Sequence, residues 1–237
     1  STRSSRMIKR AVMASLLSVG CDVLDMRSSA VPIARHFTKT AGAIGCVNVR
    51  KLPGNRRVTL IELFDSRGAY LSRAQERKVE SAFFREDFLR VDAEDLGQIE
   101  FASRAVEAYQ ADFFRAMFTP ATNRRLRIVC DYGYSGIGSI FPAMLSRLGA
   151  EVISINSFND AKLAPRAENE INSHVENIKH IVGTLGYDLG VLFTDEGERL
   201  TVVDNRGRVI EGTTLFAALC TLVTKTHKNP SLAMSIT

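Results

Sequence analysis

The 237-residue chain has little of what marks the simplest functional classes. No run approaches the roughly 20 consecutive apolar residues of a membrane-spanning helix, and the N-terminus has no apolar core of a secretory leader. The four cysteines, Cys21, Cys46, Cys130 and Cys220, lie far apart with no C-x-x-C pair. That spacing suggests neither a zinc knuckle nor a thioredoxin-like redox pair, and it reads as small buried thiols in a reducing cytoplasm. Nor do the four histidines form an H-E-x-x-H pattern, and His174 and His180 fall on different faces of a helix. Charge of neither sign gathers in a tail: 31 basic and 26 acidic side chains leave +5 spread along the chain. Such a surplus draws anions without singling out nucleic acid, so no nucleic-acid or membrane partner is expected. Internal repeats and low-complexity segments are absent too.

What is present is an ordinary globular composition, 45% hydrophobic and 24% charged, far from the regime of disorder. Ser4 or Ser5 suits the cap of a first helix whose apolar positions, Met7, Ile8, Ala11, Val12, Leu16 and Val19, recur at helical spacing up to Gly20. It has no leading strand to cover it, as expected of a piece of something longer. A strand at 22–26 follows, then a helix with Pro32 in its first turn that closes near Gly42. Strands at 44–49 and 58–64 flank a basic stretch, and Ser72 with Gln75 makes a capping box for a helix bearing Val79, Ala82 and Phe83. The polar passage 92–97 is read as a domain boundary. Beyond it come a helix from about 103, strands at 126–131, 151–155 and 188–193, helices ending at Gly149 and within 168–182, and an edge hairpin around 205–207. A last helix at 213–226 opens into a polar tail. Strands alternating with helices make this an α/β chain.

Three places carry candidate chemistry. The loop from Asp131 to Ser139 has glycines spaced G-x-x-G-x-G rather than G-x-G-x-x-G. The next strand ends at Asn156 rather than an acid, and no Lys-Ser or Lys-Thr follows, so a tight strand-to-helix turn outweighs a nucleotide site. The turn Thr194-Asp195-Glu196-Gly197-Glu198-Arg199 has three carboxylates that could serve a hard cation such as magnesium, or simply face water. The stretch 50–57 holds four cations, Arg50, Lys51, Arg56 and Arg57, at the end of a strand. It reads as an anion contact or as a charged surface loop. It contains no Ser, Cys or Asp to act as a nucleophile.

In chain order, Ser4-Ser5-Arg6-Met7, Phe64-Asp65-Ser66-Arg67-Gly68, Val129-Cys130-Asp131-Tyr132-Gly133, Leu189-Gly190-Val191-Leu192-Phe193 and Val203-Asp204-Asn205-Arg206-Gly207 are all similar to segments of one family. The chain resembles the α-D-phosphohexomutase superfamily, the phosphomannomutases and phosphoglucomutases. The resemblance implies two phosphohexomutase-like domains, each a mixed sheet flanked by helices. These are a first domain over 1–97, incomplete at its N-terminus, a second over 98–211, and a helix and linker over 212–237 leading toward a third.

The departures from that pattern bear on function. Active members carry Ser-Ala-Ser-His-Asn-Pro, whose second serine holds the transferred phosphate. Counted from Gly45 forward and from Phe64 back, Leu52 stands at that serine and Pro53 at the histidine. Leucine has no atom to phosphorylate. The family's Asp-Gly-Asp-Gly-Asp-Arg metal turn has become 194–199, so Asp195, Glu196 and Glu198 mark a vestigial metal position. Weak magnesium binding or none is expected, with no other cofactor.

A degenerate mutase region with an Arg-x-x-Pro-Gly loop, as in Arg50-Lys51-Leu52-Pro53-Gly54, is similar to the C-terminal part of certain large bacterial proteins. Their N-terminal part is a sugar-1-phosphate nucleotidyltransferase, a mannose-1-phosphate guanylyltransferase. Two readings stand. One is a noncatalytic, cytoplasmic module that binds a sugar phosphate through Arg50, Lys51, Arg56 and Arg57, or that organises a homo-oligomer for an attached nucleotidyltransferase. The other is a working phosphomannomutase or phosphoglucomutase that moves a phosphoryl group within one sugar. A generic nucleotide-binding domain is disfavoured by the glycine spacing.

Overall fold

The computed structural model describes residues 3–86, 88–117, 125–160, 163, 166–210, 212–226 and 231, without the side chains of Arg56 and Glu168. Helix α1 (Arg3–Leu17) opens the first unit, and the chain leaves it through Gly20, whose φ of +80° suits glycine. Strand β1 (Val23–Asp25) leads to α2 (Val31–Thr40), which has Pro32 in its first turn and buries Val31, Ile33, Ala34 and Thr38. Strands β2 (Gly45–Leu52) and β3 (Asn55–Asp65) then pair antiparallel.

Here the structure corrects the expected strand ends. The basic stretch 50–57 is not a loop but the tip of a hairpin, with Arg50 opposite Leu60 and Lys51 opposite Thr59. Pro53 and Gly54 make the whole turn, as proline followed by a glycine at φ +75° does in a type II turn, so the flanking residues remain free to pair. A bulge shifts the register beside Leu52, which ends opposite Asn55.

Helix α3 (Arg73–Arg85) has the Ser72–Gln75 capping box and buries none of its side chains. After a short 3-10 turn, β4 (Ile99–Phe101) returns to lie parallel to β1. The divide placed between 97 and 98 therefore falls just before a strand that belongs to the first unit's ladder. Parallel and antiparallel pairings are both present in this unit, but as two separate two-stranded ladders, β1–β4 and β2–β3.

The second unit is a five-stranded mixed sheet. Helix α4 (Ala105–Ala116) precedes β5 (Arg127–Asp131), followed by α5 (Phe141–Arg147), β6 (Glu151–Ile155), α6 (Glu168–Leu185), β7 (Leu189–Phe193), β8 (Leu200–Asp204) and β9 (Val209–Ile210). The strand order is β6-β5-β7-β8-β9, with β5 parallel to both neighbours and the β8–β9 hairpin at the edge. Helix α7 (Gly212–Thr226) follows, and the polar tail lies outside the described residues except for Ser231. Among the described residues no helix is long and apolar enough to cross a membrane.

Both faces of β5 are covered, which accounts for its unbroken apolar run. On one side Ile128, Cys130 and Tyr132 meet Ile137, Met144 and Phe193, together with Ile33 of α2 and Ala105 of α4. One core thus joins the two units. On the other side Val129 packs with Ile178 and Val182 of α6 and with Val203 of β8. All four cysteines are free, but only Cys130 is buried, and burial pushes its thiol up to about 11. The other three are half-buried, short of the burial expected from their apolar surroundings.

Gly190 of β7 sits where α6 presses closest. A methyl group there would lie 2.2 Å from Ile178 Cγ2 and 3.0 Å from Val182 Cγ2. Gly190→Ala is therefore expected to destabilise the chain by about 1–3 kcal/mol, as overpacking does, with an unchanged slope in urea unfolding. An unchanged urea midpoint would show that α6 does not pack on β7 at this distance.

Candidate functional site

The loops at the C-terminal ends of β5, β6 and β7 form a buried charged network, in the place where open α/β sheets commonly gather ligands. Asp131 ends β5 and is 1% exposed. One of its oxygens accepts from Gly133 N (2.8 Å), and the other from Asn156 Nδ2 (3.0 Å), with His174 Nδ1 2.6 Å away. Arg166 is 3% exposed, with Nη1 3.8 Å from Asp131 Oδ1. It donates from Nη2 to the Phe193 carbonyl, from Nε to Asp195 Oδ1 (3.2 Å) and from its backbone N to Asp195 Oδ2 (2.9 Å). Gly133 makes room for the guanidinium: at φ +59°, a Cβ there would lie 2.2 Å from Arg166 Nη2.

Sequence reasoning missed Arg166 and His174, and it noted Asn156 only for not being an acid. Nothing in local spacing marks them, since His174 meets Asp131 across 43 residues.

The acidic turn is closed by its own backbone and by Thr194, whose hydroxyl donates to the Arg199 carbonyl and accepts from Arg199 N, both at 3.1 Å. Gly197 has φ +76°, and a Cβ there would reach within 2.0 Å of Ile137 Cδ1. The three carboxylates diverge. Asp195 turns inward to Arg166; burial pushes its carboxyl above the usual range, against the opposing effect of Arg166. Glu198 turns toward the first unit, where Arg35 Nη1 donates to Oε1 and the Tyr70 hydroxyl to Oε2 (3.0 Å). Burial and this carboxylate push Tyr70 up to about 12. Arg35 also donates from Nε to the Gly68 carbonyl (2.6 Å) and lies over the Phe64 and Tyr70 rings.

Glu196 makes no hydrogen bond or ion pair among the described residues and faces a cleft. The donor set does not fit a magnesium ion, because two of the three carboxylates already bind guanidinium groups. Among the described residues no three of His, Cys, Asp and Glu converge as metal ligands.

The hairpin supplies the basic side. Arg50 forms a forked pair with Glu62 (Nε to Oε2 2.8 Å, Nη2 to Oε1 2.7 Å), and Asn48 Nδ2 adds a third bond to the same carboxylate (2.8 Å). Lys51 Nζ donates to Thr59 Oγ1 (3.0 Å), a neutral partner. Arg57 is exposed, and the side chain of Arg56 lies outside the described residues. A cleft of about 840 Å³ brings Arg50 and Lys51 together with Tyr134, Ser135, Asp195 and Glu196. Leu52 and Arg57 stand outside its lining. Glu198 faces a second groove, of about 640 Å³, beside Arg35, Arg67 and Arg199. The first cleft therefore offers an ammonium, a paired guanidinium and hydroxyl groups, beside the carboxylates of Asp195 and Glu196. Such a set can bind an anion and sugar hydroxyls.

Two consequences are testable. Burial alone would raise the Glu62 carboxyl, but the bonds from Arg50 and Asn48 outweigh it and hold the group below the usual glutamate range. A carboxylate lowered on folding stabilises the native state above its unfolded value, and that contribution is lost as pH falls through its native value. Glu62→Gln should therefore lose less stability between pH 6 and pH 3 than the unaltered chain, as read from urea midpoints. Equal losses would show that the pair does not hold in solution. Arg35→Ala should cost about 1–3 kcal/mol, in the range of hydrogen bonds to charged groups. It should also speed hydrogen exchange at Asp65–Tyr70 and at 194–199 together. Faster exchange on one side only would contradict a bridge between the units.

Two family models match the chain. "Phosphoglucomutase/phosphomannomutase, alpha/beta/alpha domain I" covers residues 1–90, and domain II of the same family covers 100–207. A phosphoglucomutase/phosphomannomutase of Thermococcus kodakarensis is 28% identical over 234 residues, covering 98% of this chain and 51% of its own length. A phosphoglucosamine mutase of Aliarcobacter butzleri is 26% identical over 220 residues, covering 92% of this chain and 49% of the relative. A solved phosphoglucomutase/phosphomannomutase family protein from Burkholderia thailandensis superposes with a TM-score of 0.74 at 19% identity, over 93% of this chain and 48% of that one. The chain thus spans about half the length of the curated relatives it matches. With both domain models matched in order and the same fold in a solved structure, the chain belongs to the phosphoglucomutase/phosphomannomutase family.

Proposed function

We propose that this chain is a mutase-fold module that binds a sugar phosphate without transferring its phosphoryl group. In this reading it serves a cytoplasmic sugar-1-phosphate guanylyltransferase, attached or associated, within a homo-oligomer. The observation that carries it is Leu52, the last residue before the Pro53-Gly54 turn, which counting along the family pattern puts at the phosphate-carrying serine. A phosphoryl carrier needs an oxygen that accepts the group and then surrenders it, and a leucine side chain has none. The acidic turn supports the same reading, since Arg166 and Arg35 engage two of its carboxylates.

What remains suits binding. Lys51, whose hydrogen-bond partner Thr59 is neutral, meets the phosphate as a cation, while Arg50, paired with Glu62, contributes donor geometry more than charge. Tyr134, Ser135 and Asn159 line the same cleft and offer polar atoms to sugar hydroxyls. The names of the curated relatives favour a second reading, an active mutase of phosphohexoses.

Turnover decides between them. The full-length polypeptide that carries this region, given mannose 1-phosphate and a bisphosphate activator, is expected to show no isomerisation. Turnover on the order of 1 per second, near the low end of typical enzymes, would establish the second reading instead. Calorimetric titration of this chain with mannose 1-phosphate should give saturable binding that Lys51→Ala weakens about tenfold. Titration with magnesium should give no micromolar site. Micromolar magnesium binding that Glu196→Ala abolishes would show a surviving metal centre.

A further inference from the structure

Of the three carboxylates in the acidic turn, two have partners within the chain. Arg166 binds Asp195, and Arg35 and Tyr70 bind Glu198. Glu196 has no such partner among the described residues, yet it is half-buried and lines the cleft that Arg50 and Lys51 also line. It lies near enough to act on Arg50. That guanidinium is held above the usual arginine range first by its hydrogen bonds to Glu62, against the effect of burial, and in part by the nearby charge of Glu196.

Among the described residues, charge therefore balances at the hairpin end of the cleft. The cations of Arg50 and Lys51 are matched by the carboxylates of Glu62 and Glu196, while Asp195 is matched by Arg166. An anion entering here finds hydrogen-bond donors but no net positive charge, and Glu196 repels it. An ionised carboxylate only accepts hydrogen bonds. The ligand that turns Glu196 from a repulsion into a contact is one that brings hydroxyl donors of its own beside the anion.

We propose that Glu196 is the specificity-determining residue of the cleft, accepting hydrogen bonds from sugar hydroxyls and excluding phosphate esters that carry none. This rests on the sugar-phosphate reading above and assigns to one side chain the choice among phosphate esters. Specificity of this kind comes from an unpaired charge set against the wrong ligand. An alkyl phosphate leaves the carboxylate half-buried beside a second negative group, with nothing to accept from. A polyhydroxylated ester satisfies Lys51 and Arg50 with its phosphate and Glu196 with its hydroxyls. A site built to bind a hydroxyl rejects the analogue that lacks it because its own polar group is then left unpaired.

The test compares two ligands with the same phosphate group, mannose 1-phosphate and methyl phosphate, by calorimetric titration of the 237-residue chain. The unaltered chain is expected to favour the sugar ester by about tenfold or more. Glu196→Gln keeps the size of the side chain and removes its charge. Methyl phosphate should then bind about tenfold more tightly, as relief of a like-charge contact allows. Mannose 1-phosphate loses a charged acceptor along with the repulsion, so its affinity should move by less than about threefold. The preference between the two esters therefore collapses. Glu196→Asp, which retains the charge, should retain a preference for the sugar ester, a rescue not expected of a side chain that only shapes the turn. The proposal is overturned if Glu196→Gln tightens both esters by the same factor, for then the carboxylate repels anions without reading hydroxyls. Saturable binding with an unchanged preference overturns this proposal alone. A chain that binds neither ester, before or after the substitution, overturns the sugar-phosphate reading and this proposal with it.

Discussion

One buried guanidinium organises the second unit. Arg166 lies between Asp131 at the end of β5 and Asp195 beyond the end of β7, almost free of solvent. A charge so placed must be paired, because removing one partner leaves an uncompensated ion in a poorly solvating interior. The surrounding backbone follows from that requirement. Gly133 has no Cβ where the guanidinium passes, and the backbone N of Arg166 holds Asp195 as α6 begins. Asp131 is tied further to Asn156 and His174, so the ends of three strands and one helix converge on it. Asp195 is thereby committed to structure.

The remaining carboxylates of the same turn divide between two tasks. Glu198 reaches the first unit through Arg35 and Tyr70, and Arg35 in turn holds the carbonyl of Gly68. Beneath this bridge the two units share a core, with α2 packed against β5 and α4. Through Glu198 the acidic turn pins one unit to the other. Glu196, beside the Arg166-bound Asp195, lines the cleft that Arg50 and Lys51 of the hairpin also line.

The hairpin and the cleft follow the same economy. Pro53 and Gly54 turn the chain within two residues, so Arg50, Lys51 and Leu52 are absorbed into paired strand. Arg50 is clamped by Glu62 and Asn48, which fixes its position and reduces its net charge. The resulting cleft is lined by Arg50 and Lys51 together with Tyr134, Ser135, Asp195 and Glu196.

Much of this was legible in the sequence, where the signal is local. The α/β alternation, Pro32 at the start of α2, the Ser72–Gln75 box and the edge hairpin at 205–207 depend on residues a few positions apart. So does the absence of Ser, Cys and Asp from residues 50–57, which is read directly. The ends of β2 and β3 were not legible, because four cations in eight residues read as a loop. Cross-strand partners, Glu62 for Arg50 and Thr59 for Lys51, let them lie in a ladder. Composition likewise gives no sign that the first unit's ladders stand apart, since pairing is a property of two distant segments at once. Which carboxylate of the acidic turn meets which arginine was equally hidden. Three acids within four positions look interchangeable in sequence, yet one is buried against Arg166, one bridges to Arg35 and one is left to the cleft. The direction of each depends on burial and on partners many residues away, and only the tertiary structure sets those.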